Sequence, residues 1–414
     1  MRFCMITTFY PPYSYGGDAT YVRALARGLV ERGHDVHVIS NTDAYALRSA
    51  AHPDICIDNE DGVIVHRLRS AFSRLAPLIV QQTSRPGMYS LELKKILAQR
   101  FDVLHFHNIS LVGGLGVLAM GDAALKLYSL HEHWLFCAAH ILWKNGSKRC
   151  DGATCLSCSI RSGIPPQIWR YFKMRDRYLG QVDRIFSSSH FTADLHRRAG
   201  ITQTIDVLPL FSGIPANCFD PAQMLPKRVR PLFLFVGRVT ASKGIEGLLR
   251  VAATMTDMDF MIVGEGDLRS KLMKIYGPAR NINFVGPIAQ FDLARVYASA
   301  TALVLPSLAP ETFGLGIVEA SQFGTPAIVH REAGGGAEIV KGTGGGITYR
   351  NDAELVEALR ALSADGDLRD RLGERARVGY LSEYTPDRHF DTYLSRVHSL
   401  MAAKAAVRQL SCAQ

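Results

Sequence analysis

The chain has 414 residues, of which 47% are hydrophobic and 21% are charged. These proportions exclude a disordered chain, and no apolar run is long enough for a membrane span. The length predicts two domains of roughly 150 to 200 residues each, with a cleft between them. The net charge of +9 is uneven, because residues 1–215 carry 24 Lys and Arg against 17 Asp and Glu, whereas residues 216–414 carry 23 against 21. The N-terminal half is therefore expected to meet any acidic partner.

The N-terminal half alternates strand-like and helix-like patterns. Residues 2–10 predict a buried strand, residues 19–33 an amphipathic helix, and residues 35–40 the next strand. Further strands are predicted at 102–107 and 126–133. The opening MRFCMITTFYPP lacks the basic flank, apolar stretch and cleavage site of a signal peptide, so we expect a cytoplasmic protein.

Four of the eight cysteines lie close together, as Cys137, Cys150, Cys155 and Cys158. Four thiols in so short a segment, ending in a close pair, can surround a tetrahedral zinc ion. Their spacing differs from two close pairs, and a cytoplasmic location keeps thiols reduced. Three interpretations stay open, namely structural zinc, reduced thiols and disulfides. A bound zinc ion is expected to brace a loop and to take no part in catalysis.

The segment at 161–184 is rich in basic residues, with Trp169, Tyr171, Phe172 and Tyr178 between them. If these residues share one helix face, the segment could rest on an anionic membrane, as a peripheral contact on its inner face. The alternative is that the aromatic side chains face the core and the cations face water. Nucleic-acid binding would use a similar composition, but no recognition motif supports it, so no nucleic-acid partner is expected.

The second half repeats the alternation of strands and helices more regularly. Residues 207–231 contain five prolines and little periodicity, which predicts a linker at 209–230. The following strands are predicted at 231–238, 259–266, 281–286, 301–307 and 325–330. Such βαβ alternation favours parallel sheets covered by helices on both faces.

The predicted fold is α/β, with two Rossmann-like doubly wound domains that face each other across a cleft. The first domain is predicted at 1–208, with a cysteine-rich insert at 137–158, and the second at 231–385. A helical tail at 386–414 is expected to pack back on the N-terminal domain. Ligands of such folds bind at the carboxyl ends of the strands, where the loops of both domains meet.

Two basic residues follow the strand predicted at 231–238, in the stretch VGRVTASKG. Arg238 and Lys243 stand in a loop ahead of a helix that begins near Gly244. Two cations at the carboxyl end of a strand, close to a helix N-terminus, suit a phosphate or diphosphate. The alternative is a solvated loop with two surface cations.

A Gly-x-Gly turn, formed by Gly264 and Gly266, follows the next strand. Glycines at such a turn let backbone amides approach an anion closely. The dinucleotide fingerprint needs a third glycine where Arg269 stands, so this is a different motif. No Gly-x-Gly-x-x-Gly follows the first strand either, which disfavours a nicotinamide-dependent oxidoreductase.

Two glutamates, Glu311 and Glu319, stand eight positions apart in PETFGLGIVEA. Gly314 and Gly316 mark a turn between them whose backbone amides are expected to face the cleft. Glu319 is predicted in the first turns of a helix, where its carboxylate can accept hydrogen bonds from a pair of vicinal hydroxyls. Glu311 lies in the loop, where it is better placed to meet a second polyol. The alternatives are compensation of the helix dipole and plain solvent exposure.

The motifs of the two halves, taken together and in order, resemble those of a known family. They are the glycine loop at Gly16 and Gly17, GHDVHV at 33–38, SLHEHW at 129–134, Arg238, Lys243, GEG at 264–266, NFVG at 283–286, LPS at 305–307, Glu311 through Glu319, and GGGAE at 334–338. This set resembles the retaining glycosyltransferases of family 4, which have the two-domain GT-B architecture. The resemblance covers nearly the whole chain.

The resemblance implies a role for each matching residue of the C-terminal half. Arg238 and Lys243 match the pair that binds the diphosphate of a nucleotide-sugar donor, and Glu319 matches the carboxylate on the ribose hydroxyls. The remaining donor contacts that it implies are Gly264 and Gly266 in the second loop, Val285 and Gly286 beside the nucleobase, and Glu311 with the backbone of Phe313, Gly314 and Leu315 around the sugar.

In the N-terminal half, the resemblance places Gly16 and Gly17 near the reacting centre and His131 against the donor sugar. The catalytic set that it implies is His131, Glu311, Arg238 and Lys243. Glu132 stands where the family more often has aspartate, and the asparagine of the frequent PNG pattern is absent after Pro209. A front-face substitution is implied, in which the leaving diphosphate helps to deprotonate the acceptor. We therefore name no nucleophilic residue.

The expected activity is retaining hexosyl transfer from a UDP- or GDP-sugar to a hydroxyl of a sugar or lipid-linked sugar acceptor, in polysaccharide or glycoconjugate biosynthesis. No metal or other cofactor is expected to be needed for catalysis, because cations and loop amides can stabilise the leaving diphosphate. One alternative is a nucleotide-sugar epimerase on the same architecture, which needs no acceptor. A second is a non-catalytic carbohydrate-binding protein.

Overall fold

The protein consists of two domains, each built on its own large β-sheet. The computed structural model describes residues 1–47, 49, 57–152, 154–215 and 230–412. The first sheet has eight strands and the second has six, and all neighbouring strands are parallel except one edge pair. The predicted α/β fold with two doubly wound domains is therefore confirmed. The linker predicted at 209–230 lies largely outside the described residues.

The N-terminal domain is built on the eight-stranded sheet. The order across it is β10-β9-β6-β5-β1-β2-β4-β3, and a separate two-stranded hairpin consists of β7 and β8. The strands are β1 (Arg2–Ile6), β2 (Asp35–Asn41), β3 (Ile57–Glu60), β4 (Val63–Leu68), β5 (Val103–Phe106), β6 (Leu125–Leu130), β7 (Trp143–Lys144), β8 (Lys148–Arg149), β9 (Arg184–Ser187) and β10 (Ile205–Val207).

Helices cover both faces of this sheet. The first is amphipathic, since its buried residues recur at helical spacing and form one face against the sheet. The helices are α1 (Gly17–Glu31), α2 (Thr42–Ala46), α3 (Leu75–Thr83), α4 (Ser90–Leu97), α5 (Cys155–Arg161), α6 (Met174–Leu179) and α7 (His190–Arg198).

The C-terminal domain is built on the six-stranded sheet, in the order β13-β12-β11-β14-β15-β16. Counted along the chain, this is the 3-2-1-4-5-6 order of a dinucleotide-binding fold, so the strand order reverses between β11 and β14. The strands are β11 (Leu232–Val236), β12 (Asp259–Val263), β13 (Ile282–Gly286), β14 (Ala302–Leu305), β15 (Ala327–His330) and β16 (Gly346–Tyr349). The strands β11, β12 and β14 end two or three residues earlier than predicted, because the residues that follow them form loops, whereas β13 and β15 end where predicted.

The last helix leaves the C-terminal domain and packs on the N-terminal one. Phe390, Tyr393 and Val397 of this helix lie in one buried cluster with residues of β1 and α1. Gly28 permits the crossing, because a Cβ there would stand 2.1 Å from the Phe390 ring. The helices are α8 (Ile245–Ala252), α9 (Arg269–Tyr276), α10 (Gln290–Ser299), α11 (Leu315–Gln322), α12 (Gly335–Thr343), α13 (Asp352–Ala364), α14 (Gly366–Glu383) and α15 (Pro386–Cys412).

Candidate active site

The candidate site lies where each sheet reverses its strand order. In the C-terminal sheet, the loops after β11 and β14 carry Arg238, Lys243 and Glu311. In the N-terminal sheet the reversal lies between β1 and β5, and His131 follows the neighbouring strand β6. Loops at a reversal diverge and leave a crevice, which is where open α/β sheets bind their ligands.

An ion pair joins the two C-terminal loops. Lys243 Nζ donates to both carboxylate oxygens of Glu311, at 2.6 and 2.8 Å. The Ser307 hydroxyl donates to the same carboxylate. The side chains of Lys243 and Glu311 are only 22% and 18% exposed, so solvent screens the pair weakly. The structure thus brings together two residues that the sequence assigned separately to the diphosphate and to the sugar.

The Glu311 carboxylate is held ionised. Burial alone would raise the pKa of this group, but the Lys243 ammonium, its hydrogen bonds, the Ser307 hydroxyl and the nearby Arg238 charge together lower it below the ordinary value. Arg238 itself is exposed, at the edge of the cleft. The site therefore presents a fixed negative charge with two cations close to it.

Glu319 lies deeper, in α11, and is 8% exposed. The Tyr297 hydroxyl donates to its Oε2 at 2.8 Å. Burial raises the pKa of Glu319 to about 7, and the Tyr297 hydrogen bond offsets this only in part. Glu319 is therefore buried and only partly ionised near neutral pH. A polyol whose hydroxyls donated hydrogen bonds to the Glu319 carboxylate would favour the ionised form.

The Gly-x-Gly turn packs against the neighbouring loop. A Cβ on Gly264 would stand 2.0 Å from the Gly237 carbonyl oxygen, and one on Gly266 would stand 2.3 Å from that of Val239. The Gly264 amide donates to the Gly286 carbonyl at 2.9 Å. These glycines thus let two loops approach each other, and the Gly264 amide is already used within the protein. The Gly264 amide can therefore donate to an anion, as predicted, only if it gives up its hydrogen bond to the Gly286 carbonyl.

The N-terminus of α11 offers free backbone amides. Gly314 precedes the helix with φ +114°, in the region that favours glycine, and a Cβ there would meet Gly336 at 2.9 Å. The helix begins at Leu315, and the Ile317 amide already donates to the Gly314 carbonyl at 2.9 Å, so the amides of Leu315 and Gly316 are the ones that the helix geometry leaves for a ligand. The Phe313 side chain is buried in the core, which leaves only its backbone for a ligand. Val285, near the end of β13, is 42% exposed.

His131 of the N-terminal domain reaches the Glu311 loop through Thr312. The Thr312 hydroxyl donates to the His131 carbonyl at 3.1 Å. His131 Nε2 shares a hydrogen bond of 2.9 Å with His107 Nδ1, and burial lowers the pKa of His131 to about 4. His131 is therefore a neutral imidazole whose orientation is fixed by a second histidine.

The glycine loop carries an acidic neighbour. Gly17 lies opposite α11, since a Cβ on it would stand 3.7 Å from Leu315 Cδ2. Asn108 Nδ2 donates to Asp18 at 3.2 Å and to Glu132 at 3.4 Å. Burial, followed by the charge of Glu132, raises the pKa of Asp18 to about 6. Two carboxylates therefore line the N-terminal wall of the cleft.

Polar contacts hold the two domains together beside the site. The Thr312 carbonyl accepts hydrogen bonds from three hydroxyls at the start of α7, those of Ser188, Ser189 and Thr192, at 3.1, 2.7 and 2.9 Å. The Glu338 carboxylate accepts the backbone N–H groups of His190 and Phe191, at 2.9 and 2.6 Å. A carboxylate at a helix N-terminus is favourable, so Glu338 fixes α12 against α7.

The cysteines of the insert lie as free thiols, and no disulfide joins Cys137, Cys150, Cys155 and Cys158. Within the described ranges, no group of three or more His, Cys, Asp or Glu side chains is placed to hold a metal ion. The Asn145 amide donates to Cys158 Sγ at 3.2 Å. Structural zinc thus stays a prediction, for which these four thiols are the ligands.

The segment at 161–184 is not one helix. It forms a 3₁₀ turn at Ile168–Tyr171 and the short helix α6. Trp169 is buried against Trp134, with ring centroids 5.3 Å apart, whereas Phe172 is 63% exposed. Neither of the two alternatives holds for the whole segment, because no single helix face forms and the aromatic side chains divide between core and solvent.

Several residues at the site had no role assigned from sequence. Ser307 and Glu338 lie within the motifs LPS and GGGAE, which pointed to them without giving a function. Asp18 directly follows the glycine pair, and His107 directly follows β5, the strand beside the one that leads to His131. Residues at the carboxyl ends of adjacent parallel strands lie close together, so their positions after predicted strands could have indicated Asp18 and His107 as site residues. Nothing in the sequence indicated Thr312, because its contacts depend on how the two domains face each other.

Comparison with known proteins gives the family. The family "Glycosyl transferase 4-like domain" matches residues 16–210, and "Glycosyl transferases group 1" matches residues 220–378. The chain is 26% identical to a D-inositol 3-phosphate glycosyltransferase of Pseudarthrobacter chlorophenolicus, over 88% of this chain and 86% of that one.

Solved structures give the same architecture. The sucrose-phosphate synthase of Thermosynechococcus elongatus superposes with a TM-score of 0.74 at 20% identity, over the whole of both chains. Anabaena HepE in complex with UDP-glucose superposes with a TM-score of 0.62 at 16% identity, over 99% of each chain. The family matches span most of the sequence and both domains of the fold, and the chain belongs to the family 4, group 1 glycosyltransferases with the GT-B fold.

Proposed function

We propose that the protein transfers a hexosyl group from a nucleotide-sugar donor to a hydroxyl acceptor, with retention of configuration. The observation that carries the proposal is the Lys243–Glu311 ion pair, which Thr312 links to His131 across the cleft. These contacts support a site in which a cation and a carboxylate of one domain stand near the backbone of His131 in the other. Anabaena HepE, a protein of the same fold, has been solved with UDP-glucose.

The donor is proposed to lie along the C-terminal wall. Arg238 and Lys243 would bind its diphosphate, Glu319 its ribose hydroxyls, and Val285 its base. Glu311 and the first amides of α11 would hold the sugar. Because Lys243 already contacts Glu311, its ammonium can bridge carboxylate and phosphate, so one cation positions both ends of the bond that breaks.

In the reaction, the bond between the anomeric carbon and the diphosphate oxygen breaks, and the acceptor oxygen bonds to that carbon on the same face. The hydroxyl proton passes to the departing diphosphate. The negative charge that grows on the diphosphate is stabilised by cations already in place, which removes a need for a metal ion. His131 is neutral and would contact the sugar without donating a charge.

The acceptor is proposed to be a sugar or lipid-linked sugar of a growing polysaccharide or glycoconjugate. It would enter along the N-terminal wall, past Gly17 and the carboxylates of Asp18 and Glu132. Carboxylates accept hydrogen bonds from hydroxyls, so this wall suits a polyol. The protein would act in the cytoplasm, at the inner face of the membrane.

Thermal unfolding with a panel of nucleotides and nucleotide sugars identifies the donor, because a ligand that binds only the folded protein raises Tm. We expect one UDP- or GDP-sugar to raise Tm more than its free nucleotide does. Nucleotide release in the presence of sugar acceptors then tests transfer. Glu319→Gln should reduce the shift in Tm, whereas the exposed control Glu357→Gln should not. A donor epimerised without acceptor would establish the alternative activity.

A further inference from the structure

Exposed apolar side chains are concentrated in two segments of the N-terminal domain. Nineteen large hydrophobic side chains are exposed among the described residues, and ten of them lie in 72–91 and 156–172. Isolated exposed apolar residues are common, but such a concentration marks an interaction surface. The most exposed of the ten include Phe72 at 59%, Leu91 at 82%, Ile160 at 61%, Ile168 at 60%, Tyr171 at 64% and Phe172 at 63%.

The two segments adjoin each other in space. The helix α3 packs against the 3₁₀ turn at Ile168–Tyr171. Trp169 Nε1 in that turn donates to the Gln81 carbonyl in α3 at 3.0 Å. Just before the first segment, the Ser70 hydroxyl donates to Met88 Sδ within it at 3.5 Å. Segments 72–91 and 156–172 thus form one surface, which we call the apolar patch.

Basic residues surround the apolar patch. The stretches 69–95 and 155–179 contain ten Lys and Arg against two acidic residues, Glu92 and Asp176. Asp176 is engaged by Arg175 at 2.9 Å. Eight of the cations are exposed, namely Arg69, Arg74, Arg85, Lys94, Lys95, Arg161, Lys173 and Arg177. The patch is therefore apolar at its centre and positive around it.

This combination fits the surface of an anionic lipid bilayer. Exposed aromatic and aliphatic side chains enter the boundary between headgroups and acyl chains, while Lys and Arg attract anionic headgroups. Nucleic acid would account for the cations but not for exposed leucine and isoleucine. No helix within the described part of the chain is long and apolar enough to cross a membrane. Contact through a surface patch needs no such helix.

The apolar patch adjoins the acceptor side of the cleft. Trp134 follows His131 by three residues and packs against Trp169, the buried residue of the patch turn. The Arg170 guanidinium lies 4.4 Å from the centre of the Trp169 ring and fixes this corner. A membrane below the patch would therefore lie close to the N-terminal wall, where an acceptor held in the bilayer could reach the site.

We propose that the apolar patch docks the protein on anionic membranes and so brings lipid-linked acceptors to the cleft. The delivery of an acceptor depends on the proposed glycosyl transfer, whereas the docking does not. The two can therefore fail separately, because membrane binding is measured without donor or turnover.

Co-sedimentation of the full chain with vesicles tests the docking. We expect binding to mixed phosphatidylglycerol–phosphatidylcholine vesicles, weaker binding at high salt, and little binding to phosphatidylcholine alone. The variant Tyr171→Ser/Phe172→Ser should bind at least about tenfold more weakly, since it removes two side chains that would enter the bilayer. The matched control Val378→Ser/Leu381→Ser alters two comparably exposed residues of α14, at 59% and 53%, and should bind like the wild type.

Activity on a water-soluble acceptor separates docking from folding. We expect Tyr171→Ser/Phe172→Ser to retain this activity and its Tm, because both side chains are exposed. Equal binding of both double variants to anionic vesicles would overturn the proposal, as would no binding by the wild type. A patch variant that changed the oligomeric state or the capture of a protein, with vesicle binding unchanged, would assign the patch to a protein partner and also overturn it.

Discussion

Replacing Lys243 with alanine removes an ammonium that contacts both oxygens of Glu311, at 2.6 and 2.8 Å. The same ammonium is proposed to stabilise the departing diphosphate. Loss of one such stabilising group raises the transition-state barrier by about 2.7 to 4 kcal/mol, so we expect kcat/KM to fall about 10²- to 10³-fold. The protein itself should lose about 2 kcal/mol of stability, because a mostly buried carboxylate loses its partner.

The pH dependence of stability should change in a defined direction. In the wild type the pKa of Glu311 is lowered, so its ion pair stabilises the folded state at neutral pH and this contribution is lost as the pH falls through the lowered value. Without Lys243, burial dominates and raises the pKa of Glu311. The variant should therefore lose less stability on acidification than the wild type does.

Nucleotide release at saturating acceptor gives kcat/KM for the donor, and urea unfolding at several pH values gives the stability. The exposed control Lys341→Ala, which removes a lysine from α12, should match the wild type in both assays. A Lys243→Ala enzyme within about twofold of wild-type kcat/KM would refute the reasoning, because losing a group that stabilises the transition state by several kcal/mol must lower kcat/KM by far more than that.

Three further predictions follow from the same site. Burial raises the pKa of Glu319 to about 7, so donor affinity should increase as the pH rises through that value. The Glu319→Gln variant should bind the donor about tenfold more weakly and lack this pH dependence, and calorimetry measures both. His131→Ala should lower kcat more than it raises KM, and the wild-type His131 should add no pH dependence near neutrality because its pKa is about 4. Metal analysis of the purified protein should find about one zinc per chain if the four cysteines bind it; no zinc and four titratable thiols would exclude that site.

Local patterns predicted the fold and the loops that carry the site. A buried strand followed by glycine and cations places those cations at the carboxyl edge of a sheet, wherever the sheet lies. This is why Arg238, Lys243 and Glu311 could be assigned to one cleft before the fold was known. The strand order 3-2-1-4-5-6 then sets their loops at the point of reversal.

Contacts between distant segments could not be predicted in the same way. The pairing of Lys243 with Glu311 spans 68 positions, and the Thr312–His131 contact spans 181 and joins two domains. Neither follows from periodicity or motif spacing. The burial of Glu319, which raises its pKa, likewise depends on the packing of Tyr297 against α11.

The segment after the cysteine cluster shows how local chemistry can mislead. Basic and aromatic residues in one segment left open a shared helix face, but Pro165 and Pro166 interrupt the segment, and only a 3₁₀ turn and one short helix follow them. Trp169 enters the core while Phe172 faces solvent. The apolar patch that we propose as a membrane surface is formed instead by two segments that lie far apart in the sequence.

Product analysis with the donor identified by thermal unfolding tests the central claim most directly. The purified protein is incubated with that nucleotide sugar, with and without a hydroxyl acceptor, and the free nucleotide and the anomeric configuration of the product are measured by NMR. Glycosyl transfer predicts nucleotide release that depends on the acceptor, and a product with the anomeric configuration of the donor. An epimerised donor in the absence of acceptor, or no nucleotide released with any acceptor, would contradict it.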